Sequence, residues 1–392
     1  MIQEKVQQTY DVLREKGIDA WMIFVRESHT MADPAMSLVV GAHCTWDSAF
    51  IYTAEGEAIA IVGNLDKAAF DDLKHFTQVL SFKEGFKDVL RKTISEINPQ
   101  KIALNFSKND YMADGLTHGM FLQLMDTFAD TPYTNRFISS EEIISAVRGR
   151  KSPTEVQRIK EACRLTLEIY DKVTHHAQPG ITEKQLANFI VQEMEKMGLE
   201  PAWDIAHCPA VFTGPDTAGA HYGPTGRPIE PGHIMNIDFG VKYEDYVSDL
   251  QRTWYFLKDG ESSAPAPVLK AFDTIRDSIQ AAADFLKPGV MGWEVDKVAR
   301  DFILAQGFDE FPHGLGHQVG RSAHDGAGTL CPRWERYKDV PYMRVEAGQV
   351  YTIEPRVYCA GYGTATIEEI VVVRKNGVEF LSKPQKELYC IG

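Results

Sequence analysis

Four acidic residues and a cluster of histidines carry whatever chemistry this chain has. Asp238 and Asp249 stand on either side of the short polar run Lys242-Tyr243-Glu244-Asp245-Tyr246, in the stretch NIDFGVKYEDYVSDLQRTW. Read as a β-hairpin centred on that run, the stretch sets the two aspartates roughly opposite each other, with carbons about 5 Å apart. Like charges facing across a ladder are destabilising, so the arrangement needs a reason. The pattern recurs in VYTIEPRVYCAGYGTATIEEIVVV, where Glu354 and Glu368 are centred on Gly361. These glutamates follow the aspartates by 116 and 119 residues, as a duplicated hairpin with small insertions would. Four carboxylates converging in a core cannot all ionise unless cations hold them, and metal ligation is the chemistry this implies.

The histidines of FPHGLGHQVGRSAHDGAG, namely His313, His317 and His324, lie in a glycine-rich run poorly suited to a helix. Glycines beside three imidazoles suggest a backbone that closely approaches a bound group. His221 precedes Asp238 by 17 residues and is able to reach the same cleft, whereas His207 and the pair His175-His176 read as structural.

Around these residues the chain must build two kinds of scaffold. Its 392 residues suffice for two or three domains, and a net charge of −14 with no basic run argues against a nucleic-acid partner. Six scattered cysteines, without CxxC spacing, read as free thiols of a reducing compartment. The N-terminus is a charged amphipathic helix without a signal-peptide core, and no apolar run approaches the ~20 residues of a membrane span. A cytoplasmic protein is expected.

Residues 1–148 alternate helical patterns with buried strands at IDAWMIFV, SAFIYT, EAIAIVG and KIALNF, the order of an α/β domain. RGRK reads as an exposed linker, and Ser152-Pro153-Thr154-Glu155 as a helix start. The second domain, 149–392, contains an echo of itself. QPGITEKQLANFIVQEMEKMGLE and KPGVMGWEVDKVARDFILAQGFDE match at Pro179 and Pro288, Gly180 and Gly289, and Gly198 and Gly307, each pair 109 residues apart. Two α+β halves facing each other about a pseudo-two-fold axis are the expected result.

Taken together, these motifs resemble the pita-bread metallopeptidases of the methionine aminopeptidase, aminopeptidase P and prolidase type. The longer members also carry an N-terminal α/β domain. The resemblance spans essentially the whole chain and is most specific between residues 152 and 375. It implies two divalent metal ions, Mn²⁺, Co²⁺, Zn²⁺ or Fe²⁺ with Mn²⁺ foremost, held by Asp238, Asp249, His317, Glu354 and Glu368. It further implies hydrolysis of short peptides at an Xaa-Pro bond by a hydroxide shared between the ions. Glu354 would then handle the proton, His221 and His324 would stabilise the oxyanion, and His313 would touch substrate at the rim. A homodimer acting on a short peptide, without membrane or nucleic acid, completes the expectation.

Two departures bear on specificity. Thr366 stands where Xaa-Pro enzymes often carry arginine two residues before the last glutamate ligand, and His324-Asp325-Gly326-Ala327 replaces the common His-Glu-x-Pro. The segment CPRWERYKDVPYMRVEAG adds aromatic and basic residues near the cleft. The alternative is a metal-dependent hydrolase or lyase of a small non-peptide metabolite. A binding module would have shed ligands, and this chain keeps all five.

Overall fold

The computed structural model describes residues 1–216 and 223–392. They divide into two compact units, Met1–Ser152 and Pro153–Gly392. In the first, strands β1 (Ala20–Val25), β2 (Ser48–Thr53), β3 (Ala58–Gly63), β4 (Gln78–Phe82), β5 (Ile102–Leu104) and β6 (Phe137–Ser139) form a mixed sheet in the order β4-β3-β2-β1-β5-β6. Every residue of β1 is buried because both faces of the sheet are covered. Trp21, Ile23 and Val25 pack with α1 (Ile2–Lys16) and α5 (Glu141–Gly149). Met22 and Phe24 pack on the other face with α3 (Lys87–Ile97) and α4 (His118–Thr127), and the short α2 (Lys67–Asp71) follows β3.

The run RGRK is not an exposed linker. Arg148 and Lys151 are both buried. Arg148 donates to the Pro34 carbonyl at 2.6 Å, and Lys151 to the Arg148 carbonyl at 2.7 Å. Arg150 forms a two-pronged pair with Glu15 at 2.6 and 2.7 Å. The basic residues find acceptors within their own unit, which composition alone does not reveal.

The second unit opens with α6 (Pro153–His176) and α7 (Glu183–Lys196), followed by β7 (Glu200–Pro201), β8 (Ala210–Thr213) and β9 (Ile234–Phe239). Next come β10 (Val241–Tyr243), β11 (Tyr246–Val247) and β12 (Leu250–Phe256). After α8 (Ala266–Phe285) and α9 (Gly292–Ala305) the chain makes β13 (Gly316–His317) and β14 (Thr329–Leu330). It then forms β15 (Val350–Ile353), β16 (Arg356–Cys359), β17 (Gly363–Thr366) and β18 (Glu369–Arg374). The short strands β19 (Gly377–Phe380) and β20 (Tyr389–Ile391) close it.

The internal repeat extends to geometry. Gly180 and Gly289 both take the left-handed conformation, at φ 94° and 93°, which an L side chain rarely adopts. Each donates its amide to a partner 116 residues apart from the other's, the carbonyls of Ile229 and Val345. Gln185 and Glu294, 109 residues apart, accept the amides of Thr182 and Met291 at the two helix starts. The halves thus duplicate helix pair, cap and following strand.

The two hairpins lie side by side. Ile234 donates its amide to the Tyr362 carbonyl at 2.8 Å, and Asn236 Nδ2 to the Thr364 carbonyl at 2.5 Å. Lower down, Thr253 Oγ1 bonds the Thr366 carbonyl and Glu368 N bonds the Gln251 carbonyl, at 2.5 and 3.2 Å. The helices back this curved layer. Tyr170 of α6 puts its hydroxyl 2.9 and 2.6 Å from the carbonyls of Ile237 and Leu250, directly behind the aspartate hairpin.

Candidate metal centre and active-site cleft

The glutamate hairpin has the expected register. Ile353 pairs with Glu369 and Arg356 with Thr366, so the same register across Pro355 sets Glu354 against Glu368. The aspartate hairpin is shifted. Asp238 pairs with Gln251, which puts Asp249 opposite Gly240, diagonal to Asp238 but on the same face. The cause is the turn: Glu244 and Asp245 both have positive φ, 45° and 68°, the two-residue type I′ geometry. That turn centres the hairpin one residue beyond the midpoint of the two aspartates, so each partner shifts by two residues.

His317 comes from β13, which runs against β15. Its amide donates to Thr352 Oγ1 at 3.1 Å, and the amide of Glu354 donates to the Leu315 carbonyl at 2.7 Å. The glycines here make room for the chain itself, not for a ligand. A Cβ on Gly316 would sit 2.0 Å from the Thr352 carbonyl oxygen, so nothing larger passes. Behind the loop, Asp296 of α9 accepts the Leu315 amide at 3.0 Å. Its partner Arg300 donates to the carbonyls of Phe311 and His313 at 2.7 and 2.8 Å, fixing where the histidines leave the backbone.

These elements bring Asp238, Asp249, His313, His317, His324, Glu354 and Glu368 to the wall of one cleft of about 1140 Å³. His317 Nε2 is 3.3 Å from Glu354 Oε1 and 3.7 Å from Asp249 Oδ2, and its ring meets His324 edge-on at 4.2 Å. Asp249, His317 and Glu368 each offer one ligand atom, all within 4.8 Å of one another. His221 lies outside the described residues. His175 and His176 are away from the cleft, at the end of α6, where His176 stacks on Phe189 at 3.8 Å.

The electrostatics are those of a site short of positive charge. Burial and the neighbouring carboxylates push Asp238 and Glu368 well above the ordinary carboxylate range. Burial takes Asp249 up to about 7, despite the imidazole of His317 beside it. Burial also acts to lower His317, but its bond to Glu354 and the charge of Asp249 carry it to about 9. Glu354 ends below its usual value because that same bond and three imidazoles outweigh its burial. Among the described residues, Asp238 Oδ1 and both oxygens of Glu368 are buried without a hydrogen-bond donor. Such orphaned oxygens are costly, and a divalent cation is the partner that suits a set this rich in oxygen.

Several cleft residues carry no signal of their own in the sequence. His207, which reads as structural, lines the cleft, because the turn after Trp203 brings it there: its carbonyl accepts Trp203 Nε1 at 3.1 Å. Gln251 lines it through the shifted register and donates to Glu354 Oε2 at 3.4 Å. Arg336 and Tyr337, from the aromatic and basic segment, line it as expected, and Arg356 lines it without any such signal.

With fold and site in hand, comparison with known proteins is decisive at the family level. The chain belongs to metallopeptidase family M24, whose sequence pattern matches residues 157–375. It is 30% identical over 287 residues to an uncharacterized peptidase of Staphylococcus saprophyticus, covering 73% of this chain and 76% of that one. Among solved structures it is similar to an Xaa-Pro dipeptidase from Bacillus anthracis, with TM-score 0.75 and 21% identity over the full length of both chains. It is also similar to an X-Pro aminopeptidase from Thermotoga maritima, with TM-score 0.71 and 24% identity over 98% of this chain and 99% of that one. These likenesses establish the pita-bread fold, and the family makes the protein a metallopeptidase. Among the described residues no helix is long and apolar enough to cross a membrane.

Proposed function

We propose that the chain is a two-metal hydrolase of short peptides that prefers an Xaa-Pro bond, with Mn²⁺ as its foremost ion. Asp238, Asp249, His317, Glu354 and Glu368 hold the pair. The observation that carries this reading is the set of orphaned oxygens on Asp238 and Glu368, buried beside two further carboxylates. Divalent ions there supply Lewis-acid polarisation of the scissile carbonyl and a water that deprotonates near neutrality.

The protein's own groups do the rest. Glu354 takes up the proton of the attacking water and returns it to the departing amine. Gln251 and Thr352, each 3.4 Å from a different oxygen of that carboxylate, keep it aimed into the cleft. His324 donates to the carbonyl oxygen as charge develops on it, a role the resemblance also gives His221. His313 meets the substrate at the rim. The preference for proline rests on the resemblance and on similar proteins named as Xaa-Pro peptidases.

The test is a panel of Xaa-Pro and Xaa-Ala dipeptides and tripeptides, assayed with Mn²⁺, Co²⁺ and Zn²⁺ in turn and with metal content measured alongside. The expected result is metal-dependent turnover, fastest on Xaa-Pro. Equal turnover of Xaa-Ala overturns the proline preference alone. No turnover of any peptide by metal-loaded protein overturns the peptidase reading in favour of a small non-peptide substrate.

A further inference from the structure

The cleft contains a cation that no acid among the described residues neutralises. Arg356 lines it, half-buried on β16, and among the described residues no hydrogen bond or ion pair holds its guanidinium. The undescribed segment 217–222 contains no Asp or Glu that could serve. The cleft's other guanidinium is already engaged: Arg336 donates to the Pro312 carbonyl at 2.6 Å and lies over the Trp334 and Tyr337 rings. Directly across the hairpin from Arg356 is Thr366. It also lines the cleft, and its hydroxyl is buried without a partner among the described residues. A free guanidinium and a free hydroxyl on facing positions need a ligand that accepts from both. A carboxylate does.

We propose that Arg356 and Thr366 form a subsite for the free C-terminal carboxylate of the substrate, which makes dipeptides the preferred class; this rests on the peptidase reading above. Position supports it. Arg356 follows Glu354 by two residues and Thr366 precedes Glu368 by two, so the pair lies on the ligands' face of the hairpin. Two residues of strand span about 6.6 Å. One amino acid beyond the scissile bond spans about 3.5 Å, and a hydrogen bond adds about 3 Å, which accounts for that distance. A tripeptide would put its carboxylate a further residue away. The small residue paired with Arg356 leaves room on that face for a long side chain. An arginine at both positions would set two like charges against each other.

The experiment compares a dipeptide with its C-terminal amide and with the tripeptide extended by one residue, in wild type and in the Arg356→Gln, Arg356→Lys and Thr366→Val variants. Wild type is expected to favour the free acid. Arg356→Gln should raise KM for the acid about 10- to 100-fold, as loss of a charged hydrogen bond does, and bring the acid-to-amide ratio toward one. Arg356→Lys should retain part of the preference, and Thr366→Val should lose a smaller part. A misfolded variant would lose acid and amide alike, so the ratio separates recognition from structure. An unchanged ratio in Arg356→Gln overturns the subsite, as does equal handling of acid and amide by wild type. If no peptide is turned over, calorimetric binding of the same dipeptide and amide to wild type and Arg356→Gln still decides. Equal affinities overturn the subsite, and loss of acid binding alone supports it even though the hydrolytic reading has failed.

Discussion

At the scale of single residues, His317 and His324 are two imidazoles of one cleft to which the proposed function gives different roles. They are seven residues apart and their rings touch, and His317 lies 3.3 Å from Glu354 and 3.7 Å from Asp249. If His324 answers charge that exists only in the transition state, His324→Ala should lower kcat by about 10²–10³ and leave metal content near wild type. If His317 is a ligand, His317→Ala should deplete at least one ion. Mass-spectrometric metal analysis beside steady-state kinetics separates the two, and the reverse pattern would exchange the assignments. In the first unit, Asp33 offers a pH test of its own. Burial raises it from 3.8 to about 6, although it accepts from the Ala35 amide and from Asn105. A carboxyl raised in the folded state favours folding when protonated, so its contribution is complete below about pH 4 and is lost as pH rises through 6. Wild type should therefore lose ~2–3 kcal/mol relative to Asp33→Asn between pH 4 and 7.5 in urea unfolding. A pH-independent gap would show that Asp33 is ionised throughout.

At the scale of elements, the site depends on a buried ion pair behind it. Arg252 of β12 and Glu369 of β18 are 3.0 Å apart and almost wholly inaccessible. Arg252 also donates to the carbonyls of Gln251 and Glu368 at 2.8 and 2.9 Å, so it ties the aspartate hairpin to the last acidic residue of the site. Removing one member strands the other charge. Glu369→Ala should cost about 3–5 kcal/mol in denaturant unfolding, and an apolar double replacement, Arg252→Met with Glu369→Leu, should recover most of it. A single variant as stable as wild type would mean that water reaches the pair. How far such elements were readable follows from what sets them. The glutamate register was legible because a glycine marks the turn, Gly361 at φ 81°. The aspartate register was not, because Glu244 and Asp245 are unusual occupants of a left-handed turn. Of the five acidic and imidazole positions that line one cleft, the four acids were legible as types in a repeated spacing, and His317 as one of three histidines in a glycine-rich run. Arg356 and His207 were not, since no local pattern says which loop or strand face meets the cleft. The glycines of the histidine loop do not mark a bound group: their neighbours are Thr352 and Gln318, contacts that only the folded chain supplies.

At the scale of the whole molecule, charge and topology meet in one constraint. The chain carries a net charge of −14, and its second unit concentrates four carboxylates where two copies of a duplicated element meet. Such a core is a compromise in the absence of cations, because Asp238, Asp249 and Glu368 can be accommodated only by holding protons against their ordinary tendency. Ions that bind the folded chain and not the unfolded one stabilise it by mass action, about 4 kcal/mol at a thousandfold excess over Kd. The gain must appear where the ligands are. The acidic residues sit on or beside β9, β12, β15 and β18, which Arg252 and the bonds between hairpins join into one layer. The first unit has its own sheet and its own two-sided core, with no ligand in it. Adding Mn²⁺ to chelator-treated protein should therefore slow amide hydrogen exchange in residues 234–256 and 350–374, and in the backing helix α6 through Tyr170. Residues 20–63, the central strands of the first sheet, should exchange at the same rate with and without the ion. Protection that rises equally in both units would mean that the metal acts on the molecule as one cooperative block. Protection that rises in neither would mean that the four carboxylates are not where the ion binds.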